Sequence, residues 1–256
     1  METLVQYKAL VAAALLLLLF VLERLHAADQ WPAQSWQRRR RLRNNLGLWL
    51  INVAASVLIV LPLTALAAGH ASQWRPQWWQ GAAGLLLDIV LLDLAIFGWH
   101  VANHKLALLW RFHRVHHEDE FLDVTSALRF HVGEVLLSAC ARAAVIMLLG
   151  LPLASVLVFE TLVLLAAGFH HSNVRLPPRL EQVLSWVIVT PAIHWVHHHA
   201  IRAHTDSNYG TIFSCWDRLF RTRSDFARQM GMRIGVQGGS EQSIAGLLRQ
   251  PFDRRD

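Results

Sequence analysis

Long apolar runs separated by short polar segments dominate the chain. Residues 46–68 contain no charge over 23 positions, and residues 82–99 are apolar except for Asp88 and Asp93. A third run, residues 9–22, reaches about 18–20 residues with its N-terminal extension, which is enough to cross a bilayer core about 30 Å thick. The pattern therefore predicts three membrane-spanning helices.

The run at residues 9–22 has an alternative interpretation, a cleaved signal peptide, because Ala27 and Ala28 follow it. Glu23 and Arg24 fit a cleavage region poorly, and Glu2 weakens the basic N-terminal part that such a peptide needs. We favour a retained helix.

Residues 135–169 form an apolar run of 35 residues, too long for one span. Gly150-Leu151-Pro152 near its middle favours the end of one helix and the start of another, so we predict a hairpin that enters and leaves on one side. Arg142 and Glu160 each lie nine residues from Leu151. We hypothesise that they pair across the hairpin, since an intramembrane charge usually needs a partner; alternatively, each faces water or a headgroup separately.

The distribution of charge indicates orientation. Six arginines lie between residues 23 and 46, whereas the loop containing Trp74 and Trp78 has only Arg75. By the positive-inside rule residues 23–46 are cytoplasmic, and the third span delivers His100 to the same side. We therefore expect a multi-pass integral membrane protein, in the inner membrane if the cell is bacterial. The net charge of +6 is explained by topology and is weak evidence for nucleic-acid binding.

Composition supports this assignment, with 54% hydrophobic and only 16% charged residues. Cys140 and Cys215 are too far apart for a CxxC zinc site and provide no disulfide framework. We predict an all-α integral membrane protein with about three spanning helices, a cytoplasm-facing helical hairpin and a cytoplasmic histidine-rich helical cap. The expected parts are an N-terminal transmembrane region (1–81), a catalytic domain (82–224) and a weakly structured tail (225–256).

Thirteen of the fifteen histidines lie between residues 100 and 204, and the predicted topology brings four groups to one membrane face. The groups are His100 and His104, four residues apart; His113, His116 and His117 in an HxxHH pattern; His170 and His171; and His194, His197 and His198 in a second HxxHH pattern followed by His199. On a helix, such spacings put the imidazoles of each group on one side.

Neutral imidazole is a common ligand of zinc, copper, iron and nickel. One metal takes four to six ligands, so eight or nine convergent histidines predict two metal ions. Asp93, seven residues before His100, is a candidate to orient a ligating imidazole. Glu118, Asp119 and Asp123 are looser candidates.

Two other metal chemistries fit the pattern less well. Haem needs one axial ligand from each side, whereas these histidines crowd one volume. The HExxH motif of zinc proteases is absent from the sequence. A histidine-rich metal transporter is a further alternative of a different class, but it would need a chain of intramembrane polar residues, and only Asp88, Asp93, Arg142 and Glu160 qualify.

The order HxxxH, HxxHH, HxxHH resembles the fatty acid hydroxylase/sterol desaturase superfamily of integral membrane di-iron enzymes. Further segments similar to the family are residues 128–134 (LRFHVGE), 171–173 (HSN), 206–210 (DSNYG) and 216–222 (WDRLFRT). The resemblance covers about residues 90–222. Two positions depart from it: Ala167 stands where some members have a histidine, and Arg221 where many have glycine.

The resemblance implies two iron ions, with O2 as co-substrate and a lipid as substrate. The implied ligands are His100, His104, His113, His116, His117, His171, His194, His197 and His198. Residues expected to support these ligands or to line a substrate pocket are Asp93, Arg129, His131, Asn173, His204 and Asn208.

The expected reaction is hydroxylation of an unactivated C–H bond in a fatty acyl, sterol-like, carotenoid or ether lipid. A desaturase with the same centre is the alternative. Electrons must come from an external ferredoxin- or cytochrome-type donor, because the chain lacks a dinucleotide-binding glycine fingerprint and a cysteine cluster. The cytoplasmic arginines are the expected docking region for it. A slot between the hairpin and the span ending at His100 is the expected route for the lipid.

Overall fold

The computed structural model of the protein describes residues 2–253, and the side chains from residue 10 onward. The helices are α1 (Glu2–Leu25), α2 (Ser35–Ala55), α3 (Leu61–Gly69), α4 (Gly81–Lys105), α5 (Ala107–His117), α6 (Val132–Leu149), α7 (Leu153–His171), α8 (Pro178–Leu184), α9 (Pro191–His197), α10 (Arg202–Thr205), α11 (Cys215–Leu219) and α12 (Ile244–Arg249). A π-helical turn, Ser56–Val60, joins α2 to α3. The all-α prediction is confirmed for the described residues.

Four helices in this part of the chain are long and apolar enough to span a membrane: the continuous helix Ser35–Gly69, α4, α6 and α7. The predicted spans at 46–68 and 82–99 both lie within such helices. The first of the two begins earlier than expected, so the arginine block lies on α2 rather than in a loop. α1 packs on α7 where Leu16 and Leu19 face Gly168, and Leu19 shares an apolar cluster with Val124 and Val174.

The predicted hairpin is present as α6 and α7. α6 ends at Gly150, whose left-handed backbone (φ 65°) closes the helix, and Pro152 precedes α7. Arg142 Nη2 lies 3.3 Å from Glu160 Oε1, which confirms the hypothesised pair across the hairpin. The apolar core between α3, α4, α6 and α7 lies at the closed end of the hairpin, around Ile146 and Leu151.

One arginine of the basic block is buried rather than a surface topology signal. Arg41 donates hydrogen bonds to the carboxylates of Asp119 and Asp123 and to the carbonyl of Phe121. Ser126 Oγ donates to Asp119 Oδ2 at 2.7 Å. This network attaches α2 to the loop between α5 and α6, and neither Asp119 nor Asp123 contacts an imidazole as the sequence suggested.

Residues 225–243 contain no helix, whereas residues 244–252, which were also predicted to be weakly structured, form α12 and a 3-10 turn. Leu247 on α12 is fully buried against Leu48 and Val115. Glu241 accepts a hydrogen bond from Arg129 Nη1 at 3.0 Å. The tail therefore fills the gap between α2 and α5 with one apolar and one ionic contact.

Candidate metal centre

All nine histidines predicted as ligands converge, and they form two sets. Within each set, one ring nitrogen per residue lies within 4.8 Å of the others. The five-histidine set contains His100, His104, His113, His117 and His197. The four-histidine set contains His116, His171, His194 and His198.

Each HxxHH motif contributes to both sets. On α5, His113 and His117 belong to the five-histidine set and His116 to the four-histidine set. The motif at α9 does the reverse, because His197 joins the five-histidine set while His194 and His198 join the other. On a helix, positions i and i+4 are about 40° apart, whereas i+3 lies about 60° to the other side of i. The motif therefore directs two rings to one set and one ring to its neighbour.

Six of the nine rings are oriented through Nδ1. Backbone carbonyl oxygens accept from four of them: Tyr209 O from His100 (2.8 Å), Arg129 O from His116 (2.9 Å), Ala167 O from His171 (2.8 Å) and Ser207 O from His197 (2.6 Å). A carbonyl oxygen only accepts, so these Nδ1 atoms carry the proton and Nε2 keeps its lone pair. The tautomer that a metal ligand needs is thus imposed by the backbone.

Carboxylates hold two further rings. Glu134 Oε1 lies 2.7 Å from His113 Nδ1, and Asp206 Oδ1 lies 3.2 Å from His104 Nδ1. From the sequence, both residues are recognisable only as positions within family-like segments. The available signal was their place in the motif-bearing segments 128–134 and 206–210, but nothing in the sequence paired them with particular histidines.

The inward-facing nitrogens fit a metal centre. Nε2 of His171 lies 3.1 Å from Nε2 of His116 and 3.0 Å from Nε2 of His194. Two nitrogen ligands at right angles on one metal, with bonds of about 2.1 Å, are about 3 Å apart. Nε2 atoms of His100 and His104 are buried without a hydrogen-bond partner among the described residues. A buried nitrogen without a hydrogen-bond partner destabilises the fold unless something else binds it.

The electrostatics also favour neutral rings. Burial, together with repulsion between neighbouring imidazoles, holds the pKa of five side chains well below the usual 6.5: His116, His117, His194, His197 and His198. A lowered histidine pKa means that the ring is neutral at pH 7 and its lone pair is available to a metal.

Asp93 does not orient an imidazole directly, contrary to expectation. Its carboxylate accepts from the backbone N–H of Ile212 (3.1 Å) and Phe213 (3.0 Å) and from Trp216 Nε1 (2.8 Å). These three donors attach the carboxylate to the 209–214 loop and to Trp216 at the start of α11. Because Tyr209 O in that loop accepts from His100, Asp93 acts on the ligand through the loop.

The other predicted supporting residues are structural. Arg129 Nε donates to Val115 O, and His131 Nδ1 accepts from Gly133 N at the start of α6. Asn173 binds the backbone of Asp29 through both of its amide atoms, and Asn208 Nδ2 donates to Ile193 O. The His204 ring stacks on that of Phe226, with centroids 4.3 Å apart. None of these side chains lines the cavity described below.

His170 was not predicted as a site residue. It is buried, its ring centroid lies 3.9 Å from that of His194, and its Nδ1 has no hydrogen-bond partner among the described residues. It belongs to neither set. The only sequence signal was its adjacency to His171.

A cavity of about 370 Å³ opens from the histidines between the apolar helices. Its wall is formed by Ser56, Ile96, Trp99, His100, Asn103, His113, His116, Ala127, Phe130, Glu134, Val135, Ser138, Arg142, Glu160, Val163, Leu164, Ala167, His170, His171, His194 and Thr211. It lies between α4, α6 and α7, where the sequence suggested a lipid slot. Histidines of both sets lie at one end, so a molecule in the cavity reaches both.

Comparisons with known proteins agree with this arrangement. The sequence model of the fatty acid hydroxylase family matches residues 85–222. The chain is 28% identical over 212 residues to the ornithine lipid hydroxylase OlsE of Rhizobium tropici, covering 80% of this chain and 62% of that protein.

Two further relatives act on other lipids by name. Alkylglycerol monooxygenase of Danio rerio is 29% identical over 59% of this chain and 31% of its own length. Human cholesterol 25-hydroxylase is 24% identical over 54% of this chain and 50% of its own. The chain thus spans less than two thirds of each of these relatives. No solved structure matches it.

Proposed function

The chain belongs to the fatty acid hydroxylase family, and from this premise we propose that it is a membrane-bound non-haem di-iron oxidoreductase that uses O2 to hydroxylate an unactivated C–H bond of a lipid. The observation that carries the proposal is the pair of histidine sets at the end of a cavity between membrane-length helices. Imidazole suits iron, and two sets suit two ions.

In this proposal the five-histidine set holds one iron and the four-histidine set holds the other. The two irons supply the reduction of O2 and the oxidation of the C–H bond. The backbone carbonyls beneath four rings fix the nitrogen that faces inward, and Glu134 and Asp206 increase the basicity of His113 and His104. Negative charge from these two carboxylates also offsets part of the metal charge.

Substrate binding is assigned to the cavity. A methylene group offers no charge to bind, so shape and position must select the carbon that reacts. Ile96, Phe130 and Leu164 provide apolar wall next to the histidines. Because the ornithine lipid hydroxylase matches the largest share of this chain among the relatives described, ornithine lipid is the first lipid to test.

The electron donor is proposed to dock where Trp110 reaches the surface. Its ring centroid lies 5.0 Å from that of His104 and 5.4 Å from that of His117. The Arg202 guanidinium covers the indole at 4.4 Å, and Lys105 is exposed nearby on the same helix end as His104. Both cations pair with Asp206, Lys105 at 3.2 Å and Arg202 at 3.0 Å, so the surface keeps one positive charge in excess and suits an acidic ferredoxin- or cytochrome-type protein. We assign it to the cytoplasmic side from the arginine distribution.

The alternatives are less well supported. The relatives described are hydroxylases and a monooxygenase, which does not favour a desaturase. A transport pathway would need intramembrane charges open to a permeating ion. Instead, Asp88 accepts from Arg75, Trp79 and Ser155, and Asp93 from its loop.

The test combines metal analysis with lipid analysis. The protein is purified in detergent for iron determination, and lipids from cells with and without it are compared after growth under heavy-isotope O2. About two irons per chain and a lipid that gains one labelled oxygen support the proposal. One zinc per chain, or a haem absorption band, would refute it.

A matched pair of variants connects the metal to the histidine sets. His116→Ala should lose iron and product together, because His116 belongs to the four-histidine set. His204→Ala is the control, since this histidine stacks on Phe226 outside both sets. Full iron content and product in His116→Ala would remove it from the ligands.

A further inference from the structure

One ion pair lies in the wall of the lipid cavity, away from the histidines. Arg142 on α6 and Glu160 on α7 meet at 3.3 Å, and their side chains remain 20% and 25% exposed. Both line the same cavity as His100, His116 and His171. A charged pair is therefore part of the surface that a bound lipid contacts.

Arg142 stands where this cavity meets two smaller ones. One, of about 200 Å³, is lined by Leu92, Ala95 and Phe159, and the other, of about 230 Å³, by Ser56 and Val60. Arg142 lines all three, and Glu160 lines two. A lipid that extends from the histidines towards either smaller cavity therefore contacts Arg142.

Arg142 has hydrogen-bonding capacity left beyond the pair, because its Nη2 contacts Glu160 while its Nε is buried without a hydrogen-bond partner among the described residues. A guanidinium carries five N–H donors, more than one carboxylate contact uses. In an apolar setting, charges that only neutralise each other are replaced by hydrophobic residues at little cost or even with a gain in stability.

We propose that Arg142 and Glu160 together bind a neutral hydroxyl group of the lipid and so position its chain against the histidines. A hydroxyl both accepts and donates, so it bonds Arg142 and Glu160 at once. The pair is neutral overall, so a neutral group leaves no net charge among the apolar helices, whereas a charged headgroup would.

The separation of the pair from the histidines predicts the site of oxidation. Arg142 lies eight residues along α6 from Glu134, and Glu160 eleven along α7 from His171, which correspond to about 12 and 16 Å. The prediction of which carbon is oxidised rests on the proposed function. The reacting carbon should then lie about 12–16 Å from the bound hydroxyl.

Photolabelling without O2 measures binding independently of turnover. The probe is hexadecanol carrying a diazirine next to its hydroxyl, added to the protein in phosphatidylcholine nanodiscs. The label should map to α6 and α7 beside Arg142 and Glu160. Unlabelled hexadecanol should compete about threefold to twentyfold better than hexadecane, the range expected for one hydrogen bond in a membrane protein.

Two double variants separate recognition from folding. Arg142→Met with Glu160→Leu removes both charges, so hexadecanol and hexadecane should compete equally. Arg142→Glu with Glu160→Arg keeps a pair and should keep the preference within about twofold. The proposal is overturned by a label that maps elsewhere, by equal competition in the wild type, by an undiminished preference in the apolar variant, or by its loss from a normally melting charge-swapped variant.

Failure of the proposed function would look different. Iron content and labelled-oxygen incorporation are measured on the same preparations. A protein that shows the hydroxyl preference but holds no iron keeps this inference and refutes the hydroxylase. A protein with iron and product but no hydroxyl preference does the opposite.

Discussion

Removing the charge of Glu134 should weaken one metal site and leave the other intact. Its Oε1 lies 2.7 Å from His113 Nδ1 and also accepts from Asn103 Nδ2 at 3.3 Å. Glu134→Gln keeps the size and an acceptor oxygen but removes the charge. Glu134→Leu removes the acceptor oxygen as well, so it is the stronger of the two perturbations.

The magnitude follows from the bond that is lost. A hydrogen bond to a charged group contributes about 1.5–3 kcal/mol, and a neutral one about half as much. Loss of a carboxylate behind a metal-bound histidine lowers metal affinity about 10- to 100-fold. We expect about a tenfold loss for Glu134→Gln and about a hundredfold loss for Glu134→Leu, confined to the five-histidine set that contains His113.

Anaerobic competition between the iron-loaded protein and a chromogenic chelator measures this. Glu134 variants should release about one iron per chain at lower chelator concentration and the second as the wild type does. Asp225→Asn is the control, because this carboxylate is exposed and lies beyond α11. Identical release curves for the wild type and both Glu134 variants would refute the role assigned to the carboxylate.

Three further substitutions test the fold by thermal unfolding in detergent. Arg41→Met leaves two buried carboxylates without their cation and should cost about 3–5 kcal/mol, whereas exposed Arg43→Met should change little; equal melting of the two variants would contradict the buried network. Leu247→Ala should cost about 2–5 kcal/mol because the side chain is fully buried, compared with almost nothing for exposed Met230→Ala, and a negligible loss would mean that the tail does not pack. Gly150→Ala should cost about 1–3 kcal/mol, since φ is +65° and a Cβ would overlap the backbone carbonyl of Ser72 in the loop between α3 and α4; wild-type melting would argue against this turn.

Local spacing predicted much of this structure. The charge-free run at 46–68 and the Gly150–Pro152 break give the spanning helix and the hairpin, because helix length and helix breaking depend on nearby residues. Equal distances from the turn were enough to pair Arg142 with Glu160, since both helices rise by about 1.5 Å per residue.

Contacts between distant segments were not predictable in the same way. Arg41 looked like one of several equivalent arginines, yet it alone of the block bonds Asp119 and Asp123 in the interior. The tail carries five glycines and several charges, and nothing local marks Leu247 as buried. Tertiary partners decide such cases, and one sequence does not reveal them.

The division of the histidines into two sets shows the same limit within the site. Spacing predicts that these histidines converge and places each HxxHH motif on one side of a helix. It does not show that His116 turns away from His113 and His117, because i+3 and i+4 lie on opposite sides of position i by about 60° and 40°. The difference in direction gives two sets only because a second helix supplies rings to both of them. α9 does so, with His197 in the five-histidine set and His194 in the four-histidine set. Each helix therefore contributes to both sets, so a displacement of α5 or α9 perturbs both candidate metal sites together.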